Sequence, residues 1–72
     1  MSKEAARHHR EAALALGLAA KHHLAAAEHH EADRHEKAGH FAHVAEGHLN
    51  EARHHVEEAS KLHAHAHGLA DK

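Results

Sequence analysis

The sequence predicts an all-α protein in which two long helices form an antiparallel hairpin. Apart from histidine, alanine, leucine, glutamate, lysine and arginine dominate, proline is absent and only four glycines occur, which is a helical composition. Alanine also recurs at seven-residue intervals in both halves of the chain. A third observation is the order Lys37, Ala38, Gly39, since a cation in the last turn followed by glycine is typical of a helix C-terminus.

The first helix is expected over about residues 3–37. Ser2 can cap its N-terminus, and Glu4 places negative charge near the positive end of the helix dipole. Two rows of alanines repeat every seven residues: Ala5, Ala12, Ala19 and Ala26, and Ala6, Ala13, Ala20 and Ala27. Gly17 interrupts the pattern, but one glycine costs only about 1 kcal/mol relative to alanine. A break at Gly17 would give the alternative fold, a monomeric three-helix bundle.

The turn is expected at residues 38–40 and the second helix over about residues 41–67, followed by Gly68. Steps of three and four residues mark the faces that form the seam between the helices. On the second helix they select Ala45, His48, Ala52, His55, Ala59, Leu62, Ala66 and Leu69, and on the first helix Ala12, Leu16, Ala19, His23, Ala26, His30 and Asp33. A hairpin folded at Gly39 gives facing residues whose numbers add to 78, so that His23 faces His55.

The 72 residues are expected to form a single domain with a small core. Only seven leucines, two valines, one phenylalanine and one methionine are large and apolar, whereas there are 19 alanines. Because alanine buries little area, a monomeric hairpin would be marginally stable. A second hairpin is therefore expected to cover the remaining apolar stripe and form a homodimeric four-helix bundle.

Several function classes are disfavoured by what the sequence lacks. Without cysteine there is no disulfide and no thiolate metal ligand. Charges of both signs are interspersed and the net charge is −2, and the apolar run Leu14–Ala20 is too short to span a bilayer, so neither nucleic acid nor a membrane is an expected partner. No enzyme is expected, because Ser2 and Ser60 have no defined base and there is no phosphate-binding glycine loop.

Histidine points to a function, since it supplies 15 of the 72 positions. Neutral imidazole binds divalent transition metals, and ligands three or four residues apart share one face of a helix. Cu(II) is expected to bind most tightly, with Ni(II), Zn(II) or Co(II) as alternatives. The candidate metal ligands are His22, His23, His29, His30, His35, His40, His43, His48, His54, His55, His63, His67, Glu31 and Glu51. At the open end, His63 and His67 are expected near His8 or His9.

Two histidine doublets lie within the stretch Lys21–Arg34. The seam pattern predicts that His23 and His30 point into the hairpin, while His22 and His29 lie at its edge. The alternative to metal binding is a non-catalytic, self-associating helical module that responds to pH. Protonation of all 15 histidines would change the net charge from −2 to +13.

The second half of the chain carries a heptad-spaced H-x-x-E-A-x-x-H motif. It runs His48–Leu49–Asn50–Glu51–Ala52–Arg53–His54–His55, with Val44–Ala45 before it and Gly39–His40 at the expected helix junction. From about Glu28 to Lys61, the chain resembles the small metal-binding protein family of His-rich, helical bacterial proteins. The resemblance implies copper binding at several sites, with His40, His48, His55 and Glu51 among the ligands, and a role in metal buffering, storage or detoxification. It also implies a periplasmic location if an export signal has been removed; otherwise the cytoplasm is expected.

Overall fold

The fold, seen in a computed structural model, is a hairpin of two α-helices. The structure describes the backbone of residues 2–66 and the side chains of residues 3–64. Helix α1 spans Ser2–Glu31 and helix α2 spans His35–Ala66, and these residues contain no β-strand. The helices pack side by side in opposite directions, in a rod of 53 × 22 × 12 Å. The predicted all-α class and the antiparallel helical hairpin are thus confirmed.

The turn is closed by backbone hydrogen bonds around Asp33. The N–H of Asp33 donates to the carbonyl of His30 (3.0 Å), and the N–H of Arg34 donates to the carbonyl of His29 (2.7 Å). These bonds form a Schellman motif, in which the residue after the helix adopts the left-handed conformation. Asp33 takes that position with φ 61°, where glycine is the usual choice. Arg34 is the N-cap residue of α2, because its carbonyl accepts the N–H of Ala38 (3.0 Å) in the first hydrogen bond of the helix.

The turn therefore lies at residues 32–34, and its predicted position at 38–40 is wrong. Helix α1 ends at Glu31 rather than near residue 37, and α2 begins at His35, so that Gly39 lies inside α2. The physical reason is burial: starting α2 at His35 adds Ala38, with 0% of its surface exposed, to the row of buried alanines. The helix cap at Asp33 makes a glycine cap at residue 39 unnecessary.

Helix α1 also continues through Gly17 without a break, so the alternative three-helix bundle is wrong for the described residues. A β-carbon placed at Gly17 would meet nothing within 4 Å, which shows that no close contact requires glycine there. The remaining interactions of a long helix offset the small propensity cost of one glycine. The predicted end of α2 at His67 and its cap Gly68 lie outside the described residues.

The core of the described hairpin is a row of alanines. Its buried residues are Ala12, Ala15, Ala19, Ala26, Ala38, Ala45, Ala52 and Ala59. Seven of the eight fall on strict heptads, three on α1 and four on α2. Methyl side chains let two helices approach closely, but each buries little apolar area. The result is a long, thin contact in which no large side chain is fully buried.

Ring contacts between the helices establish their register. His8 faces His55, and His22 stacks on Phe41, so the numbers of both facing pairs add to 63. The buried alanines fit nearly the same register, since the numbers of Ala12 and Ala52, and of Ala19 and Ala45, add to 64. The predicted facing of His23 with His55, and of His30 with His48, is wrong because the turn lies six residues earlier than expected.

The side of α1 that enters the seam also differs from the prediction. His22 and His29 are half-buried, whereas His23 and His30 are exposed. Leu16, another predicted seam residue, is 49% exposed. The seam of α1 thus contains the residues three positions after Ala12, Ala19 and Ala26, not those four positions after them. On α2 the predicted seam is correct through Leu62, and Ala66 has no described side chain.

Candidate functional site

A row of stacked rings lines one edge of the seam. His29 and Phe41 stack with centroids 5.1 Å apart, and Phe41 stacks on its other neighbour, His22, at 5.8 Å. His22 in turn stacks on His48 at 5.5 Å with the planes 7° apart. The rings come alternately from α1 and α2, because each lies three residues after a buried alanine of its own helix. These four residues, which we call the ring ladder, orient three imidazoles by aromatic contact.

Two further histidines meet at the opposite end of the hairpin from the turn. Nδ1 of His8 lies 2.9 Å from Nδ1 of His55, and the ring centroids are 5.1 Å apart. One Nδ1–H donates to the other Nδ1, so the accepting ring carries its proton on Nε2. Both residues are half-buried, and the contact joins α1 to α2. We call His8 and His55 the seam pair.

A second nitrogen-to-nitrogen contact spans the turn. Nδ1 of His30 lies 2.7 Å from Nδ1 of His35, with ring centroids 5.0 Å apart and both residues exposed. Nε2 of His35 lies 3.6 Å from the Asp33 carboxylate. A proton on that Nε2 faces the carboxylate, which leaves the lone pair of His35 on Nδ1 to accept the Nδ1–H of His30. We call His30 and His35 the turn pair.

Other candidate ligands have one ring nitrogen engaged by a neighbour. Nε of Arg34 donates to Nδ1 of His29 at 2.9 Å. Nδ1 of His48 donates to Glu51 Oε1 at 3.2 Å. His48, with its proton on Nδ1, keeps a lone pair on Nε2 for a ligand, and the Glu51 contact resembles the carboxylate that commonly orients a metal-bound histidine. In neutral His29 the accepting Nδ1 places the proton on Nε2, so that nitrogen has no lone pair for a ligand.

The two edges of the hairpin form separate open grooves. The groove beside the turn brings together His29, Arg34, His35, His40 and Phe41, among others. The groove on the opposite edge is lined by His23, Gly39, Ala42, His43, Glu46 and Leu49. The hairpin thus divides the predicted ligands between two edges instead of gathering them in one place.

The structure brings the predicted ligands together in twos. The contacts are His22 with His48, His30 with His35, His54 with His55, and His48 with Glu51. Nowhere in residues 3–64 do three His, Asp or Glu side chains form a group that could hold a metal ion. Glu31 and His63 are exposed, and His67 lies outside the described residues.

His8 is a site residue that was not among the predicted ligands. The sequence grouped it with His63 and His67, whereas the structure pairs it with His55. A heptad pattern could have identified it, because His8, Ala15, His22 and His29 are seven residues apart and form one stripe of α1. The predicted seam instead followed the stripe with Leu16 and His23, which does not include His8.

In the described part of the chain, a neighbouring lysine shifts the pKa of the Glu58 carboxyl. Nζ of Lys61 donates to Oε2 of Glu58 at 3.1 Å, and this hydrogen bond together with the lysine charge lowers the pKa of Glu58 below its ordinary 4.5. No side-chain nitrogen or oxygen of the described residues is buried without a hydrogen-bond partner. The turn pair is exposed to solvent, whereas the seam pair is half-buried.

Comparison with known proteins finds no matching family model, no similar curated protein and no similar solved structure. The resemblance to the small metal-binding protein family therefore stays a prediction based on the motif around His48 and His55. Neither helix of the described chain is sufficiently long and apolar to span a membrane.

Proposed function

We propose that this protein binds divalent transition-metal ions, Cu(II) foremost, through pairs of imidazoles. The observation that carries the proposal is the 2.7 Å separation of the two Nδ1 atoms in the turn pair. Two nitrogens bound at about 2.0 Å in neighbouring positions of a square-planar ion lie about 2.8 Å apart, whereas tetrahedral binding separates them by about 3.3 Å. The spacing places both nitrogens within reach of one ion, and the Irving–Williams order ranks Cu(II) first, with Ni(II), Zn(II) and Co(II) as competitors.

The surroundings of the turn pair support the same conclusion. Asp33 faces the Nε2 side of His35, as carboxylates do behind many metal-bound histidines, and this leaves Nδ1 with the lone pair. Metal binding would replace the hydrogen bond between the two Nδ1 atoms and would require His30 to carry its proton on Nε2. Both rings are exposed, so that rotation meets little steric resistance.

The seam pair is the second proposed site. Its Nδ1–Nδ1 distance of 2.9 Å also fits neighbouring positions of a square-planar ion. Because His8 and His55 belong to different helices, an ion there would link α1 to α2 and stabilise the hairpin. At a free metal concentration a hundredfold above Kd, mass action adds about 2.7 kcal/mol to the free energy of unfolding.

Buffering, storage or detoxification of metal is the role that several two-ligand sites on one small chain would serve. Two imidazoles form a site of moderate affinity that can release its ion. The motif from His48 to His55, with its resemblance to copper-binding proteins, supports this role.

Calorimetric titration with Cu(II), Ni(II) and Zn(II), at slightly alkaline pH where imidazole is neutral, tests the proposal. The double variants His30→Ala/His35→Ala and His8→Ala/His55→Ala should each lose one class of Cu(II) site. The control His9→Ala removes one exposed histidine outside both pairs and should keep both classes. Binding no tighter than that of free imidazole, or equal losses in all three variants, would refute the proposal.

We also propose that two hairpins associate side by side into a four-helix bundle. The hairpin is one helix thick, and its core consists of alanine. Leu14, Leu16 and Leu18 are all exposed, in a stretch of α1 that has no charged residue from 12 to 20. A second copy packed on the side of α1 that carries Leu14 and Leu18, which are four positions apart, would bury both and add to the apolar area of the alanine seam. Sedimentation equilibrium should show a dimer that Leu14→Lys weakens, and a monomer at all concentrations would exclude it.

The alternative function is a non-catalytic, pH-sensitive module that only self-associates. The exposed leucines favour it, and metal has no part in it. A melting temperature that depends on protein concentration and pH but is unchanged by Cu(II) would select this alternative over metal binding.

A further inference from the structure

We infer that a second copy of the chain completes the metal site at the turn, so that one ion joins the turn pairs of two hairpins end to end. This rests on the proposed metal binding and identifies the partner of that site. The turn pair offers two nitrogens, whereas square-planar and tetrahedral ions take four ligands.

The described residues of one chain cannot supply the missing ligands. No third His, Asp or Glu of residues 3–64 joins the pair in a group that could hold an ion. Asp33 lies on the Nε2 side of His35, on the far side of the ring from the proposed ion. The remaining positions therefore go to water or to another chain, and imidazole nitrogen is a better ligand than water for Cu(II) or Ni(II).

The turn pair is exposed, so a second copy of the chain can reach it. The pair lies at one end of a rod 53 Å long, with a cross-section of 22 × 12 Å, and 65% of the His35 side chain is exposed. Two rods can meet end to end with few residues other than those of the turn in contact. The seam pair differs, because His8 and His55 are half-buried between the helices and offer no such approach.

The backbone also holds the turn pair ready for bridging. His30 ends one side of the turn and His35 begins the other, and the hydrogen bonds around Asp33 fix the segment between them. A preorganised pair loses less conformational entropy on binding than two independent side chains. The turn pair of the second copy, related to the first by two-fold symmetry, would be preorganised in the same way.

Charge at the turn matches a divalent ion. Residues 30–37 contain three carboxylates and two cationic side chains, which gives each turn a net charge of −1 with its histidines neutral. Two turns therefore carry −2, equal and opposite to one divalent ion. An end-to-end assembly without metal would bring like charges together, so the assembly should depend on metal.

Sedimentation velocity and small-angle X-ray scattering, at half an equivalent of Cu(II) or Ni(II), test the bridge. On metal addition the mass of the particle should become at least twice that of the metal-free protein. Its maximum dimension should grow along the rod, while its thickness stays the same. His30→Ala/His35→Ala should abolish both changes, with folding checked by circular dichroism, whereas His9→Ala should retain them. Nitrogen hyperfine coupling in the Cu(II) EPR spectrum should count four imidazoles in the His8→Ala/His55→Ala variant, which keeps the turn pair and lacks the seam pair.

The outcomes separate this inference from the proposed function. If His30→Ala/His35→Ala loses a Cu(II) site by calorimetry but the wild-type mass stays constant, or EPR counts two imidazoles, metal binding stands and the bridge is wrong. Growth in mass that survives in this variant places the bridge elsewhere and also overturns the inference. If wild type and variant bind Cu(II) identically, the turn site itself is refuted.

Discussion

His8 and His55 are 47 positions apart in the chain, and their Nδ1 atoms lie 2.9 Å apart across the helix seam. This contact joins the first turns of α1 to the middle of α2 and establishes the register of the hairpin. It is also the only one of the two imidazole pairs whose partners are half-buried. The seam pair should therefore contribute to stability even without metal.

We predict that His8→Ala lowers the free energy of unfolding by about 0.5–1.5 kcal/mol, the usual net value of one hydrogen bond. Thermal or urea unfolding followed by circular dichroism would measure it. The neighbouring variant His9→Ala, at an exposed position, should change stability by no more than about 0.5 kcal/mol. A similar loss in both variants would show that the seam pair contributes nothing specific.

The alanine seam should reject larger side chains. Ala19 is 2% exposed and lies against α2, so we predict that Ala19→Leu forces the helices apart and costs about 1–3 kcal/mol. Ala20→Leu adds the same side chain at the next position of α1, which is exposed, and should be close to neutral. Denaturant unfolding of both variants makes the comparison, and equal stability would contradict the close packing of the seam.

Gly39 distinguishes the observed turn from the predicted one. Because Gly39 lies inside α2 and a β-carbon there meets nothing within 4 Å, we predict that Gly39→Ala stabilises the protein by about 0.5–1 kcal/mol. In a left-handed helix cap the same change would be destabilising. The matched variant Asp33→Gly should relieve the positive φ of 61° and keep or raise the melting temperature. A loss of stability in Gly39→Ala would instead support a turn at residues 38–40.

The Glu58–Lys61 pair predicts a pH effect with a definite sign. Lys61 lowers the pKa of Glu58, so the pair contributes stability above the ordinary pKa of that carboxyl, and the contribution disappears as pH falls through the lowered value. We predict that Lys61→Met raises the pKa of Glu58 toward 4.5. NMR titration of the Glu58 side-chain carboxyl would detect the change, with Lys21→Met as a distant control. An unchanged pKa would rule out Lys61 as the cause.

Local sequence was sufficient to predict the helices but not the turn between them. Lys37, Ala38 and Gly39 form a good helix C-terminus, yet Ala38 is buried at the start of the packed face of α2. Asp33 is a less usual residue for the left-handed position, and it gives no comparable signal in the sequence. Burial of a further alanine and a closed set of turn hydrogen bonds outweigh a local capping preference.

The candidate ligands could likewise be predicted from the sequence, but their pairing could not. The abundance of histidine and its helical spacing identified His30, His35, His48 and His55 as candidates, but not which of them meet. His8 and His30 each gained a partner from the position of the turn, not from a motif. Metal binding at these pairs therefore depends on tertiary contacts that spacing along one helix does not contain.

The sequence by itself determined that the chain is helical, that alanine rows form the packed faces, and that His48 and His55 lie on the seam face of α2. Only the tertiary structure decided the register, the stripe of α1 that packs, and the pairing of histidines. The reason is the heptad repeat itself. The predicted facing numbers add to 78, whereas those of the ring contacts His8–His55 and His22–Phe41 add to 63, a difference of about two heptads. Because the buried alanines of each helix repeat every seven residues, packing of the repeat does little to distinguish the two registers, and the hydrogen-bonded turn at Asp33 makes the choice.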